Sequence, residues 1–161
     1  MVSPKMSDTQ PSPWIIANHL YGPSYVSLQS ALAYYGMIPE RSYETSSVAL
    51  KAARSYQNDM GRFSYQRVPL PYYSFGLKSI SLGSNQSALM ASPEKAICDL
   101  IVLTPYVNLR SKKNTLTYLL DDLRMDEDSL KKLNLPLISS WLDDAPKKES
   151  LQTLIHTIHS L

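Results

Sequence analysis

His19, His156 and His159 are the histidines of this 161-residue sequence, and only the last two could share a metal. Three residues apart on a predicted helix, they have a spacing that can chelate zinc. No cysteine stands beside them, however, and a third ligand would come from far along the chain. Solvent-facing histidines beside a Leu/Ile stripe are expected, with no metal site. Cys98 is the single cysteine. A catalytic thiol needs a base and a lowered pKa; no partner is assignable from the sequence, so packing within a helix is expected. Asp121, Asp122, Asp126, Glu127 and Asp128 form an acidic run that could hold magnesium. The run lacks the ordered donor spacing and the glycine of a calcium loop. Helix capping accounts for it, with Asp126 or Asp128 at the start of DSLKKL. No glycine-rich loop follows a strand signal, so no nucleotide or other cofactor is expected. With no complete constellation in the sequence, the polar side chains have no reason to converge on a reactive centre.

The basic residues point further. Lys51 and Arg54 fall at the edge of one predicted strand, and Arg62 and Arg67 lie on the next. A hairpin there would present four positive charges together with Tyr56 and Tyr65. Such a surface suits phosphate contacts that tolerate variation in target sequence. The plainer expectation for the same residues is a solvated sheet face whose charges oppose edge pairing.

Composition sets the frame. The hydrophobic set makes up 43% of the residues, enough for one core that buries about two-thirds of the unfolded surface. Leu, Ile, Val and Tyr must build it, since there are two Phe, two Trp and eleven Tyr. With one cysteine no internal disulfide can form, and a reducing compartment is the simple reading. The opening MVSPKMSDTQPSPWI has no continuous apolar core for a signal peptide, and no apolar stretch approaches the roughly 20 residues that span a bilayer. A cytoplasmic protein without a membrane partner is expected. The net charge of +2 is too small for a dedicated nucleic-acid binder. It is unevenly distributed: residues 1–80 carry seven Lys/Arg against four Asp/Glu, and residues 81–161 nine against ten. Any polyanion contact should therefore lie in the first half.

Local signals set the elements that carry these residues. Residues 1–12 read as an extended lead-in, and residues 13–161 as one domain. Ser12 and Pro13 start a short helix, WIIANHL, which Gly22 and Pro23 end. SYVSLQSALAYYGMIPE reads as a second helix, with Leu28, Ala31, Leu32 and Tyr35 at helical spacing and Gly36 at its exit. ETSSVAL and RFSYQRVPL read as strands, SYQNDMGR as the turn between them, and YYSFGLKSISLG and SALMA as further strands. Ser92, Pro93 and Glu94 start a helix whose stripe is Ala96, Ile97, Leu100 and Ile101. NTLTYLLDDLRM continues with Leu116, Leu119, Leu120 and Leu123, and the last helix with Leu151, Leu154, Ile155 and Ile158. The predicted class is α+β: a small, mainly antiparallel sheet in the middle third, packed on one side against N-terminal and C-terminal helices.

Four segments together resemble the AbiEi-type antitoxin and transcriptional-regulator family of type IV toxin–antitoxin systems. They are GPSYVSLQSALAYYGMIPE at 22–40, GRFSYQRVP at 61–69, ASPEKAICDLIVL at 91–103 and LLDDLRMDEDSL at 119–130. The resemblance implies the domain that follows a winged helix-turn-helix, with that DNA-reading module absent from this chain. It implies operator DNA as a partner of a full-length form. It also implies a nucleotidyltransferase-like toxin as genetic partner, with no stable complex between the two. The residues carried over are structural: Tyr25, Val26, Ser27, Leu28, Ala31 and Leu32, then Pro93, Glu94, Ala96 and Asp99. Tyr25 and Leu28 are expected to fix a helix against the sheet, and Asp99 to cap or pair with a basic neighbour.

The expected function is therefore regulatory, exercised by binding and not by catalysis, through weak contacts of Lys51, Arg54, Arg62 and Arg67. Two alternatives stand beside it. One is an enzyme or small-ligand binder, whose mark would be a deep pocket with polar groups drawn from Tyr72, Tyr73, Asp99 and Asp122. The other is a structural dimerisation domain, whose mark would be an exposed apolar patch in the tyrosine-rich segments.

Overall fold

Ser12 caps the first helix as its sequence suggests, accepting a hydrogen bond from Trp14 N at 3.0 Å. The structure, a computed structural model, describes residues 12–39, 44–83 and 85–161. The lead-in expected over residues 1–12 lies, Ser12 apart, outside the described residues. Helix α1 (Pro13–Leu20) ends where Tyr21 turns extended before Gly22 and Pro23. Its fully buried side chain is Ala17, while Ile15, Ile16 and Leu20 are half-buried.

The second helix starts later than its spacing suggests, because a strand precedes it. Ser24, Tyr25 and Val26 form β1 (Ser24–Val26), buried throughout, and α2 (Leu28–Tyr34) begins after it. The helical spacing of Leu28, Ala31, Leu32 and Tyr35 begins only after this strand. A strand only three residues long, flanked on both sides by other strands, shows no alternation that could identify it. Strand β2 (Glu44–Ala49) matches expectation, but the residues read as its following turn form β3 (Arg54–Asn58), and only Asp59 and Met60 turn before β4 (Gly61–Arg67). Strand β3 is an edge strand with Ser55 and Gln57 exposed, so the apolar alternation of a half-buried strand is weak there. A 3-10 turn (Tyr72–Ser74) leads to β5 (Leu77–Ser81) and β6 (Ser87–Ala91).

The sheet has the order β3-β4-β2-β1-β6-β5. Three pairings are antiparallel (β3–β4, β2–β1, β6–β5) and two are parallel (β4–β2, β1–β6). The class is α+β. Pairing register assigns its two faces, because successive side chains point opposite ways. Val26, Ser47 and Tyr65 form one row across β1, β2 and β4, and the Tyr65 hydroxyl donates to the Ala17 carbonyl of α1 at 2.6 Å. Tyr25, Val48 and Gln66 form the opposite row. Helices therefore cover both faces, correcting the expected one-sided packing: α1 lies on one, and α2 with the later helices on the other. Asn18 of α1 also clasps the strand beneath it, donating to Leu89 O at 3.2 Å and accepting from Leu89 N at 2.7 Å.

Helix α3 (Pro93–Leu103) starts as read, with Ser92 accepting from Lys95 N and Pro93 in the first turn. Helix α4 (Lys112–Leu116) passes into a π-helix (Thr117–Asp122). That widened turn rotates the predicted stripe, so Tyr118 and Leu119 are buried while Leu116, Leu120 and Leu123 are half-buried. Helices α5 (Glu127–Lys131), α6 (Leu135–Trp141) and α7 (Lys148–His159) complete the chain. On α7, Leu151, Leu154 and Ile158 are buried and Ile155 half-buried, close to the predicted stripe. One apolar cluster joins residues from Ala17 to Ile158.

Candidate functional site

Two sets of polar side chains come together, one sealed inside and one exposed. The inner set is built on α3, where Lys95 and Asp99 lie one helical turn apart and both are fully buried. Asp99 accepts three hydroxyl hydrogen bonds. Tyr25 of β1 donates to Oδ2 at 2.8 Å, Ser27 from the β1–α2 junction donates to Oδ2 at 2.7 Å, and Tyr72 of the 3-10 turn donates to Oδ1 at 2.7 Å. Lys95 Nζ donates to three backbone carbonyls: Tyr72 at 2.7 Å, Tyr73 at 3.1 Å and Phe75 at 2.7 Å. Its ammonium also lies 4.3 Å from the Tyr72 ring centroid and 5.1 Å from that of Tyr25. Local backbone geometry is set to match. Leu28, directly after Ser27, takes a left-handed φ of 57°, and Gly76 has φ +66° where a Cβ would stand 2.8 Å from Lys95 Cβ.

Burial pushes the Asp99 carboxyl upward, opposed by Lys95 and by the three hydroxyls. Burial lowers Lys95 to about 8, opposed by Asp99. The hydrogen-bond pattern favours the ionised forms of both, since three carbonyls match the three N–H bonds of an ammonium and three hydroxyls match a carboxylate that only accepts. Burial and then the Asp99 charge raise Tyr25, Tyr72 and Cys98. A general base or nucleophile needs a free lone pair and a route to a reactant. Lys95 and Asp99 each spend three hydrogen bonds on protein groups, and neither is exposed. Five polar side chains thus converge here, and they satisfy one another.

The outer set lies on the opposite face of the sheet, toward strand β3. The rings of Tyr21, Tyr56 and Tyr65 meet pairwise, with centroids 5.1 Å apart for Tyr21–Tyr65 and 6.0 Å for the other two pairs. Tyr21 donates to Ala52 O at 2.8 Å, which ties the β2–β3 turn to this cluster. Arg54 lies over two of the rings, its guanidinium carbon 5.3 Å from the Tyr21 centroid and 5.7 Å from that of Tyr56, and its Nη1 donates to the Tyr56 hydroxyl at 2.9 Å. That hydrogen bond raises the pKa of the guanidinium further. Lys51 Nζ stands 5.9 Å from the same Tyr21 ring, and Arg67 Nε donates to Leu50 O at 3.2 Å, beside Lys51. All three cations are exposed.

Of the four basic residues expected to act together, Arg62 belongs elsewhere. It alternates with Phe63 and so faces the opposite side, where it pairs with Glu44 at 3.4 Å. Ser64 donates to the same carboxylate at 2.6 Å. Tyr21, whose ring both Lys51 and Arg54 approach, carries no sequence signal beyond preceding Gly22-Pro23.

The remaining residues singled out by sequence fall into packing roles. Ala31, Leu32 and Ala96 are fully buried, Glu94 accepts from Asn134 N at 2.9 Å, and Tyr25 ties β1 to α3 through Asp99. Of the suggested pocket residues, Tyr72 and Asp99 bond to each other, and Tyr73 stacks edge-on to Tyr25 at 5.0 Å. Asp122 is apart from them, in a shallow hollow with Tyr106, Asn114 and Tyr118. Asp126 caps α5, accepting from Ser129 N at 2.7 Å. His19, His156 and His159 are exposed, Cys98 is buried, and among the described residues no group of three metal-ligating side chains is gathered. Among the described residues no helix is long and apolar enough to cross a membrane.

No protein-family model matches the chain. No curated protein matches it.

Proposed function

We propose that this chain is a regulatory domain of the AbiEi-like antitoxin and transcriptional-regulator type, cytoplasmic, acting by binding and not by turnover. The observation that carries the reading is the placing of Lys51 and Arg54 over one tyrosine cluster, with Arg67 hydrogen-bonded to the Leu50 carbonyl beside Lys51 and all three exposed. Cations fixed in this way neutralise phosphates without searching for them, and the resulting contact is salt-dependent and tolerant of sequence. The closed Lys95–Asp99 network supports the same reading, since the converging polar groups are spent on holding the fold. The resembling segments agree with it, their matched residues lying at packing positions. Operator DNA is the partner when such a domain is joined to a winged helix-turn-helix. A nucleotidyltransferase-like toxin is its genetic partner, without a stable complex.

Polyanion binding tests the surface. The double variant Lys51→Glu with Arg67→Glu should lose affinity for DNA, and the slope of log affinity against log salt should fall by about 2. Its melting temperature should stay at the wild-type value, and Arg62→Gln should bind as the wild type does. Unchanged binding in the double variant removes this surface from the account. Rescue of cells expressing a nucleotidyltransferase-like toxin, by the chain alone and joined to a winged-helix module, tests the biological assignment; rescue by neither would refute it.

A further inference from the structure

Arg54 is placed differently from a phosphate-seeking arginine on a flexible surface. Its guanidinium lies over Tyr21 and Tyr56 and is pinned by the Tyr56 hydroxyl. With these contacts made, the residue as a whole is still exposed. We propose that the Arg54 guanidinium, held beside Tyr21 and Tyr56, is a platform for an unpaired nucleobase, and that this face is a site for single-stranded nucleic acid.

The chemistry is that of π stacking beside a phosphate track. A planar cation backed by aromatic rings offers its free face to any base, and stacking is sequence-tolerant because every base has a π face. Bases inside a duplex have both faces covered by their neighbours, so only a single strand can use the platform. Lys51, over the edge of the same tyrosine cluster, and Arg67, tethered to the Leu50 carbonyl, flank Arg54 and supply the backbone contacts. The local field suits a polyanion. Between residues 44 and 83 the only acidic residues are Glu44 and Asp59. Glu44 bonds Arg62 and Ser64 on the opposite side of the sheet, and Asp59 lies in the turn at the far end of the β3–β4 hairpin. Among the described residues strand β3 is an edge strand, with no further strand over this flank. RNA and single-stranded DNA share this chemistry.

The inference rests on the polyanion-binding reading, and four probes separate their failures. Labelled oligothymidylate, oligouridylate and a DNA duplex of equal length are titrated at fixed salt, with heparin as a polyanion without bases. Both single strands should bind about tenfold more tightly than the duplex, and Arg54→Lys, which keeps charge but loses the plane, should lose about that factor for the single strands only. Tyr56→Phe, which frees the guanidinium from its hydrogen bond, should lose about threefold. Heparin affinity should stay within about twofold in both variants, since charge is conserved. Tight binding of only one single strand would replace the base platform by sugar recognition and overturn the proposal. Equal loss of heparin and single-strand binding in Arg54→Lys, loss of neither, or a preference for the duplex would also overturn it while leaving the polyanion surface standing. If the wild type binds none of the probes, both readings fall.

Discussion

Tyr72 donates its hydroxyl to Asp99 at 2.7 Å while its own carbonyl accepts from Lys95, also at 2.7 Å. One residue thus holds both members of a buried charge pair. The carboxylate and the ammonium share a helix, yet each is satisfied by groups from other elements: β1 and the β1–α2 junction on one side, the 3-10 turn and the residue after it on the other. Through α3 the pair binds sheet, turn and helix into one unit. Lys147 does similar work with a second lysine ammonium, donating to the carbonyls of Ile101, Thr104 and Val107 where α3 ends.

Removing one partner of such a pair leaves the other charge buried and uncompensated. Asp99→Ala should cost about 3–5 kcal/mol in urea unfolding, and Lys95→Met a similar amount. Asp99→Ala combined with Lys95→Met should cost less than the sum of the singles by about 1–3 kcal/mol. An Asp99→Ala protein within about 1 kcal/mol of wild type would show the network to be ornamental.

Two adjacent tyrosines should respond oppositely to loss of the hydroxyl. The Tyr72 hydroxyl bonds Asp99, whereas the Tyr73 hydroxyl is buried with no hydrogen-bond partner among the described residues. Tyr72→Phe should destabilise by about 1–3 kcal/mol, and Tyr73→Phe should be neutral or stabilise by about 1 kcal/mol. Equal destabilisation by both would contradict the assignment.

Gly76 admits no side chain. An added Cβ would sit 2.8 Å from Lys95 Cβ and 2.9 Å from Trp141 Cη2, at a φ of +66°. Gly76→Ala therefore combines left-handed strain with overpacking and should cost about 2–5 kcal/mol. A melting curve that superimposes on wild type would mean the Trp141 packing is wrong.

Alkaline pH should unfold the protein through its tyrosines. Burial pushes Tyr35, Tyr65, Tyr73 and Tyr118 up to about 12 from an ordinary 10, and Tyr25 and Tyr72 are raised further by burial together with Asp99. Between those values the unfolded chain has lost phenolic protons that the native state keeps, so stability falls as pH rises. Cys98 acts in the same sense from 9 upward. Lys95, lowered to about 8 from 10.5, and Lys147, also lowered by burial, act in the opposite sense, two groups against seven. Urea midpoints measured from about pH 8 to 12 should drop steeply above about 10, with phenolate absorbance rising together with unfolding. A midpoint unchanged at high pH, or phenolate formed by all eleven tyrosines while the native circular dichroism persists, would contradict this.

Wherever a residue's role depends on its chain neighbours, it was legible. Ser12, Ser92 and Asp126 cap helices because their oxygens reach an N–H two or three residues on, and the buried leucines of α7 keep helical period. The α+β class, and an exposed basic surface in the first half, follow from such local patterns. Other features exist only after folding. Tyr25 and Asp99 are 74 residues apart, and nothing near either one announces a partner. β1 is too short to alternate, and β3 lies at an edge. Arg62 is separated from Arg54 and Arg67 by the alternation of strand faces, and Tyr21 gathers the cations only when α1 and the β2–β3 turn meet. Capping and periodicity are short-range and are written in the chain itself. Face, register and long-range hydrogen bonding are settled when the sheet pairs and the helices cover it.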